Sequence, residues 1–250
     1  MRKTLTIFMV LAAFTLIPAF VSADTAQIMN EAEKLFNDRK GSLEDFNKTI
    51  EMYKQILTKE PNNFEAHWKL SRSYRNYGDK SKINKVDGWK DTCAKYGKDG
   101  MNSAQKAIAL KPDHPAGHFF YALNVGVYSD GVSIITALRE GLKDKTQLSF
   151  EKVLELDKNF EDGSGILGLG RFWTVLPWPL NDKEKALKYY RDYQSTPYFG
   201  KDPEGIIYLS ELLIDMGGKD NKNEAKQHLT KFEAPNPYFQ EIKDDLMKKL

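Results

Sequence analysis

Residues 53–72 read YKQILTKEPNNFEAHWKLSR, and two later stretches align with them without a gap: AQKAIALKPDHPAGHFFYAL at 104–123 and FEKVLELDKNFEDGSGILGL at 150–169. In each stretch, apolar residues at helical spacing precede a polar break and a second helical run. Pro61 and Pro112 occupy the same place in the break. A unit that recurs in this way predicts a series of stacked helix pairs.

Two further units follow at 184–198 and 204–237, and the tail places Phe239, Ile242, Leu246 and Leu250 on one helical face. The tail therefore predicts a helix that closes the last repeat. The units are more widely spaced than the 34 residues of a standard helix-pair repeat. We expect the excess to form insertions within the pairs, around 79–95 and 129–141.

The nonapeptide LSRSYRNYG at 70–78 supplies a large residue, a small residue, a tyrosine and a glycine as Leu70, Ser71, Tyr74 and Gly78. This order resembles the first helix of the tetratricopeptide repeat, in which small residues admit a neighbouring helix and large ones fill the space between helices. The resemblance implies an all-α fold of four to five extended helix pairs with a C-terminal closing helix.

The stretches LGLGRFWTVLPWPLNDKEKAL at 167–187 and YLSELLIDMGG at 208–218 resemble one group of such repeat proteins. They are similar to the periplasmic tetratricopeptide T-component associated with TRAP-type (tripartite ATP-independent periplasmic) transporters. That resemblance implies a protein partner, a periplasmic solute-binding or other envelope protein, and the handling of a hydrophobic small molecule. A more remote likeness is to the regulator-of-microtubule-dynamics proteins, which share the extended-repeat layout.

The N-terminus has the layout of a secretory signal peptide. Arg2 and Lys3 precede a run of apolar residues, and small residues end it at Ala23. We expect cleavage after Ala23, a signal peptide at 1–23, a single helical repeat domain at 24–250, and a periplasmic or secreted product. An uncleaved membrane anchor is the alternative, although the apolar run is at the short limit for a span. The lipid-modified cysteine that is frequent in T-components is missing.

Charge and cysteine content narrow the function classes. Loss of residues 1–23 lowers Lys and Arg from 37 to 35, which equals the 35 Asp and Glu. A nucleic-acid-binding protein normally carries a basic excess, so we expect no nucleic-acid partner. Cys93 is the only cysteine and has no neighbouring Cys or His, which suits a small buried residue.

Gly163, Gly165 and Gly168 match the spacing of a dinucleotide-binding loop. That motif follows a β-strand and precedes an acidic residue about 20 positions further on. Here helical spacing comes before Gly163, and Lys188 stands at the later position. In the repeat register the glycines fall within a first helix, where they allow a neighbouring helix or a ligand close to the backbone. We expect packing glycines and no cofactor.

HPAGH at 114–118 places His114 and His118 four residues apart, as in a two-ligand metal site. Pro115 marks the start of a helix, so His114 belongs at or outside its cap. A zinc site needs at least three protein ligands, and the sequence offers no evident third. We expect structural histidines, no metal and no catalytic residue; a hydrolase or metalloenzyme at these histidines is the alternative from the enzyme class.

One stripe of each first helix faces the inner surface of such repeats. That stripe is largely apolar here, with charge at its ends, and the ligand-binding residues assigned on this basis are Trp68, Arg72, Arg75, Phe119, Leu123, Leu169, Phe172 and Trp173. If the inserted segments fold over the groove, these residues are core. If a cavity survives inside it, they line an apolar pocket, with Arg72 or Arg75 available to an anionic head group at its mouth.

Three functions are compatible with these patterns. The first is an exported, non-enzymatic adaptor or ligand-binding protein of the T-component kind. The second is a general protein–protein scaffold for assembling envelope complexes, without a small ligand. The third is the enzyme considered above. The identities of ligand and partner, the oligomeric state and tethering to a membrane stay open at the level of sequence.

Overall fold

The structure, a computed structural model, describes the backbone of residues 19–37 and 41–250 and the side chains of 24–37 and 41–250. Within these ranges the chain forms twelve helices and no strand. They are α1 (Ala19–Asn37), α2 (Leu43–Lys59), α3 (Phe64–Ile83), α4 (Trp89–Leu110), α5 (Pro115–Val132), α6 (Ile134–Arg139), α7 (Leu142–Leu156), α8 (Phe160–Val175), α9 (Lys183–Gln194), α10 (Pro203–Met216), α11 (Lys219–Lys231) and α12 (Pro237–Met247).

The helices pack as five pairs: α1 with α2, α3 with α4, α5 with α7, α8 with α9, and α10 with α11. The short α6 lies within the third pair, and α12 packs on the last pair through Leu246, Phe239 and Ile242. This confirms the predicted all-α fold of helix-pair repeats with a closing helix.

The polar breaks of the repeated stretches are the helix starts. Asn63 caps α3 by accepting a hydrogen bond from the Ala66 amide at 2.9 Å. His114 caps α5, and its Nδ1 accepts from the Ala116 amide at 3.2 Å, while Pro115 takes the first helical position. A side-chain acceptor and a proline at these places satisfy or remove amides that the helix itself cannot bond.

The two insertions differ from the expected form. Around 79–95 the extra residues lengthen the helices, because α3 continues to Ile83 and α4 begins at Trp89. Around 129–141 they extend α5 to Val132 and then form α6. A longer helix satisfies its backbone hydrogen bonds internally, whereas a long irregular insertion needs other partners for them.

The four residues that carry the repeat resemblance lie where α3 meets its neighbours. Leu70, Ser71 and Tyr74 are buried, and the Ser71 hydroxyl donates to the Gly100 carbonyl of α4 at 2.9 Å. A Cβ on Gly78 would stand 2.5 Å from Val127 Cγ1, so only glycine fits there without a shift. Cys93, fully buried beside Gly78, has its thiol pKa raised to about 12 by that burial.

Gly165, Gly168 and Gly170 of GSGILGLG serve packing, whereas Gly163 has a left-handed backbone and belongs to the turn into α8. Glu161, Asp162 and Gly163 have left-handed backbone angles that set the entry into α8. A Cβ on Gly168 would lie 2.5 Å from Phe150 Cε1, so the glycine brings α8 close to α7.

The predicted signal peptide lies largely outside the described residues. The expected cleavage point after Ala23 falls inside α1, which begins at Ala19. Across the described part of the chain, no helix combines the length and apolar character needed to cross a bilayer. Export and cleavage therefore stay predictions.

Candidate ligand cavity

A cavity of about 1230 Å³ opens along the first helices of four successive pairs, α3, α5, α8 and α10. Residues of α1, α2, α6, α7 and α12 complete its walls. Ligand pockets typically span about 300–1,000 Å³, so this volume accommodates a long-chain small molecule.

One wall of the cavity is apolar. Its members come from α5, α6, α7, α8, the residue that follows α8, and α10. They share aliphatic or aromatic side chains and include Leu123, Val127, Leu138, Leu142, Leu167, Phe172, Leu176 and Ile207. Gly126 lies on the same wall, and a Cβ built on it meets no atom within 4 Å. The wall therefore has unfilled space directly in front of α5.

Five of the eight residues assigned from sequence line this cavity: Arg72, Arg75, Phe119, Leu123 and Phe172. They come from α3, α5 and α8, the helices on which the repeat register placed them. Phe119 is only 4 % exposed and Phe172 only 7 %, so each lines the cavity while most of its side chain is buried in the core. Core and pocket, the two alternatives for this stripe, therefore share residues.

The other three lie away from the cavity wall. Trp68 stacks on Phe120, with ring centroids 5.7 Å apart and planes 9° from parallel. Leu169 is fully buried in the core cluster that joins α5, α7 and α8. Trp173 is covered by Lys185, whose Nζ lies 3.9 Å from the ring centroid. Helix position alone does not distinguish these three residues from lining residues, because whether a side chain reaches the cavity depends on how a neighbouring helix packs against it.

The two arginines assigned from sequence are already paired. Arg72 forms an ion pair with Glu33 of α1, and its guanidinium lies 3.7 Å from the centroid of the Phe36 ring. Arg75 Nε lies 2.7 Å from Asp79 Oδ2. Neither guanidinium is thus a free positive charge at the mouth of the cavity, which differs from the expectation for an anionic head group.

Sequence reasoning missed most of the polar end of the cavity. Arg171 Nη1 lies 2.6 Å from Glu211 Oε2, and the same guanidinium lies 4.4 Å from the Tyr208 ring centroid. Glu204 and Tyr238 also line the cavity. The available signal was one of spacing: Glu204, Tyr208 and Glu211 recur every three or four residues on α10 and so share a face.

Burial governs the titration of this polar end. It raises the pKa of Asp79 above its ordinary value, although Arg75 opposes the shift, and nearby Glu204 adds to it. Burial also raises the pKa of Asp202, again with a contribution from Glu204. Tyr208 has its phenol pKa raised well above the usual range by burial first and then by Glu204. Glu204 thus contributes to the raised pKa values of three neighbouring groups, Asp79, Asp202 and Tyr208.

The two histidines of HPAGH form hydrogen bonds with backbone groups. His114 caps α5, and its ring lies edge-on to Phe64 with centroids 4.8 Å apart. The Nε2 atom of His118 lies 2.9 Å from the Pro112 carbonyl. In residues 24–37 and 41–250, no group of three or more His, Cys, Asp or Glu side chains is arranged to hold a metal ion.

Comparison with solved structures shows the fold. The chain is similar to TTC0263, a thermophilic TPR (tetratricopeptide-repeat) protein of Thermus thermophilus, with a TM-score of 0.61 and 14% identity over 90% of this chain and 98% of that one. It is also similar to the MamA protein, with a TM-score of 0.54 and 15% identity over 91% and 96% of the two chains. No curated protein matches the sequence.

The family is shown by the sequence itself. The family model for regulator of microtubule dynamics protein 1-3 matches residues 28–172, from α1 into α8. This stretch is more than half of the 250 residues and contributes α3, α5 and most of α8 to the cavity. The resemblance to the T-component stays an expectation from sequence. The chain belongs to the family of regulator of microtubule dynamics protein 1-3.

Proposed function

We propose that this chain is an exported, non-enzymatic repeat adaptor that holds an apolar or amphipathic small molecule in its cavity. The fold is that of a protein-interaction scaffold, which favours a protein partner. A periplasmic solute-binding or transport component is the partner that the T-component resemblance favours.

The observation that supports a ligand is the unfilled space in front of the apolar wall at Leu123, Gly126 and Phe172. Burying one CH₂ group gains about 0.8 kcal/mol, so a twelve-carbon chain gains roughly 10 kcal/mol before the costs of association. Association costs at least about 4 kcal/mol, so the net gain of roughly 6 kcal/mol corresponds to a dissociation constant of tens of micromolar.

The experiment is a fluorescence titration of the chain, without residues 1–23, with the neutral hydrophobic probe N-phenylnaphthylamine. We expect saturable binding of one probe per chain and its displacement by dodecanol. A chain that binds no probe while folded, as judged by a helical circular dichroism spectrum and a cooperative melt, would lack the proposed ligand site.

A scaffold without a small ligand is the second candidate, and the helix-pair architecture favours it independently of the cavity. The two candidates separate in a pull-down of the chain from envelope extract that is analysed for both proteins and lipids. The adaptor retains a small molecule together with a protein, whereas the scaffold retains protein alone.

A further inference from the structure

Near Arg75, the cavity wall carries more acidic than basic side chains. Arg72, Arg75 and Lys82 each already hold a carboxylate, namely Glu33, Asp79 and Asp130. Glu161, Asp202 and Glu204 line the same part of the cavity and, among the residues described, form no ion pair. This end of the cavity therefore carries more negative than positive charge.

Glu204 is at the centre of this excess. It precedes Tyr208 by one turn of α10, and its amide donates to Asp202 Oδ1 at 2.9 Å. Burial is the first cause of the raised pKa values of Asp79, Asp202 and Tyr208, and Glu204 adds to each of them. Tyr238 of α12 lines the same cavity, and its pKa is raised by burial first, with a further contribution from Glu204. Two phenol rings and a carboxylate thus line the same cavity, and the Arg171 guanidinium lies 4.4 Å from the centroid of the Tyr208 ring.

The remaining basic residues of the cavity include Arg171, which pairs with Glu211 at 2.6 Å. Lys143 pairs with Asp144 at 3.0 Å. Lys80 and Lys249 also line the cavity, but the largest electrostatic effects on Asp79 and Asp202 come from Arg75 and Glu204.

We propose that the ligand of this cavity is a cationic amphiphile, whose ammonium group lies among Glu204, Tyr208 and Tyr238 and whose chain lies along the wall at Leu123 and Phe172. This assignment rests on the proposed function and names the class of its ligand. It replaces the anionic head group expected from Arg72 and Arg75, since both of those arginines are neutralised by their own carboxylates.

The physical reason is the combination of carboxylate and aromatic rings in a protein-walled space. An ammonium ion is attracted by the faces of aromatic rings as well as by carboxylates. A nearby opposite charge interacts more strongly there than in bulk water, because the effective dielectric constant is lower. An anionic head group in the same place meets like charge and loses its hydration.

The test compares three ligands with the same chain: dodecyltrimethylammonium, dodecanol and dodecanoate, each below its micelle-forming concentration. Each displaces N-phenylnaphthylamine from the chain at neutral pH. We expect the cation to displace the probe at a concentration at least tenfold lower than dodecanoate, with dodecanol in between.

Two variants locate the head group. Glu204→Gln removes one charge without changing the size of the side chain, and we expect it to reduce the ratio of cation to anion affinity about fivefold. Glu184→Gln, an exposed glutamate of α9 that does not line the cavity, serves as the control and should keep the wild-type ratio. If Glu204→Gln fails to fold, Tyr238→Leu makes the same test from α12, because it removes one of the aromatic rings proposed to surround the ammonium group.

The outcomes separate this inference from the proposed function. A chain that binds none of the three ligands and no probe contradicts both. A chain that binds dodecanoate as well as or better than the cation overturns the inference and leaves the proposed function standing. A ratio of cation to anion affinity that stays at the wild-type value in the folded test variant, Glu204→Gln or its substitute Tyr238→Leu, overturns the placement of the head group beside Glu204 and Tyr238.

Discussion

Lys85 Nζ lies 2.9 Å from Glu241 Oε2, so the turn after α3 meets the closing helix α12 across a separation of 156 residues. The side chains are 69 % and 58 % exposed, and an exposed ion pair of this kind contributes little to stability. Its value is geometric. The repeats curve until the last helix returns to the second pair, and the cavity lies between them.

This closure can be tested by crosslinking. In a Cys93→Ala background, Lys85→Cys combined with Glu241→Cys should form an intramolecular crosslink with a short bismaleimide, because the two side chains meet in the folded chain. The product is identified by mass spectrometry of a tryptic digest. Each single-cysteine variant is the control, and a double variant that reacts only with two separate maleimides would contradict the closed arrangement.

Gly170 and Gly126 should respond to alanine in opposite directions. A Cβ on Gly170 would lie 2.4 Å from Tyr190 Cε1 in the core, so we expect Gly170→Ala to lower the free energy of unfolding by about 1–3 kcal/mol. Gly126 lies in a helix, and a Cβ built on it meets no atom within 4 Å. Gly126→Ala should therefore raise the free energy of unfolding by roughly 0.5–1 kcal/mol. Urea denaturation measures both, and a shift of equal sign would contradict the packing described.

Glu224 should make stability dependent on pH. Its hydrogen bond with Arg191 lowers its pKa below the ordinary value, and His228 acts in the same direction. The folded state thus favours the charged carboxylate, so the stabilisation is present above the unfolded pKa and is lost as pH falls through the folded pKa.

We expect Glu224→Gln to cost about 1 kcal/mol of unfolding free energy at neutral pH, as measured by urea denaturation. The difference in unfolding free energy between Glu224→Gln and the wild type should become smaller as the solution is acidified from about pH 5 to about pH 3. Glu233→Gln, at an exposed glutamate, is the matched control. A deficit for Glu224→Gln that stays constant on acidification would show that the ion pair is not its source.

The fold was predictable because its signals are local. Helix-ending prolines, capping residues and the Leu70, Ser71, Tyr74, Gly78 pattern recur along the chain and describe one pair at a time. The form of the insertions was not predictable in the same way. Whether residues after Gly78 continue a helix or fold back depends on packing against α4 and on the contact between Lys85 and Glu241 of α12, which is 156 residues further on.

The cavity was predictable only in part. The inward stripe of the first helices identified Phe119, Leu123 and Phe172, because one helix face is a local property. Leu169, on the same stripe, is fully buried, so that Leu169→Trp would overpack the core and not fill the cavity. The pairing of Arg72 with Glu33 joins α3 to α1 and could not be read from either helix alone.

The most direct test of the cavity as a ligand site is the affinity of Gly126→Trp for N-phenylnaphthylamine, because a side chain at Gly126 enters open space on the apolar wall. Leu180→Trp, at a 41 % exposed position outside the cavity, is the control for an added tryptophan. We predict that both variants fold, and that only Gly126→Trp loses at least tenfold in affinity for the probe. A folded Gly126→Trp that binds the probe as tightly as the wild type would contradict the account.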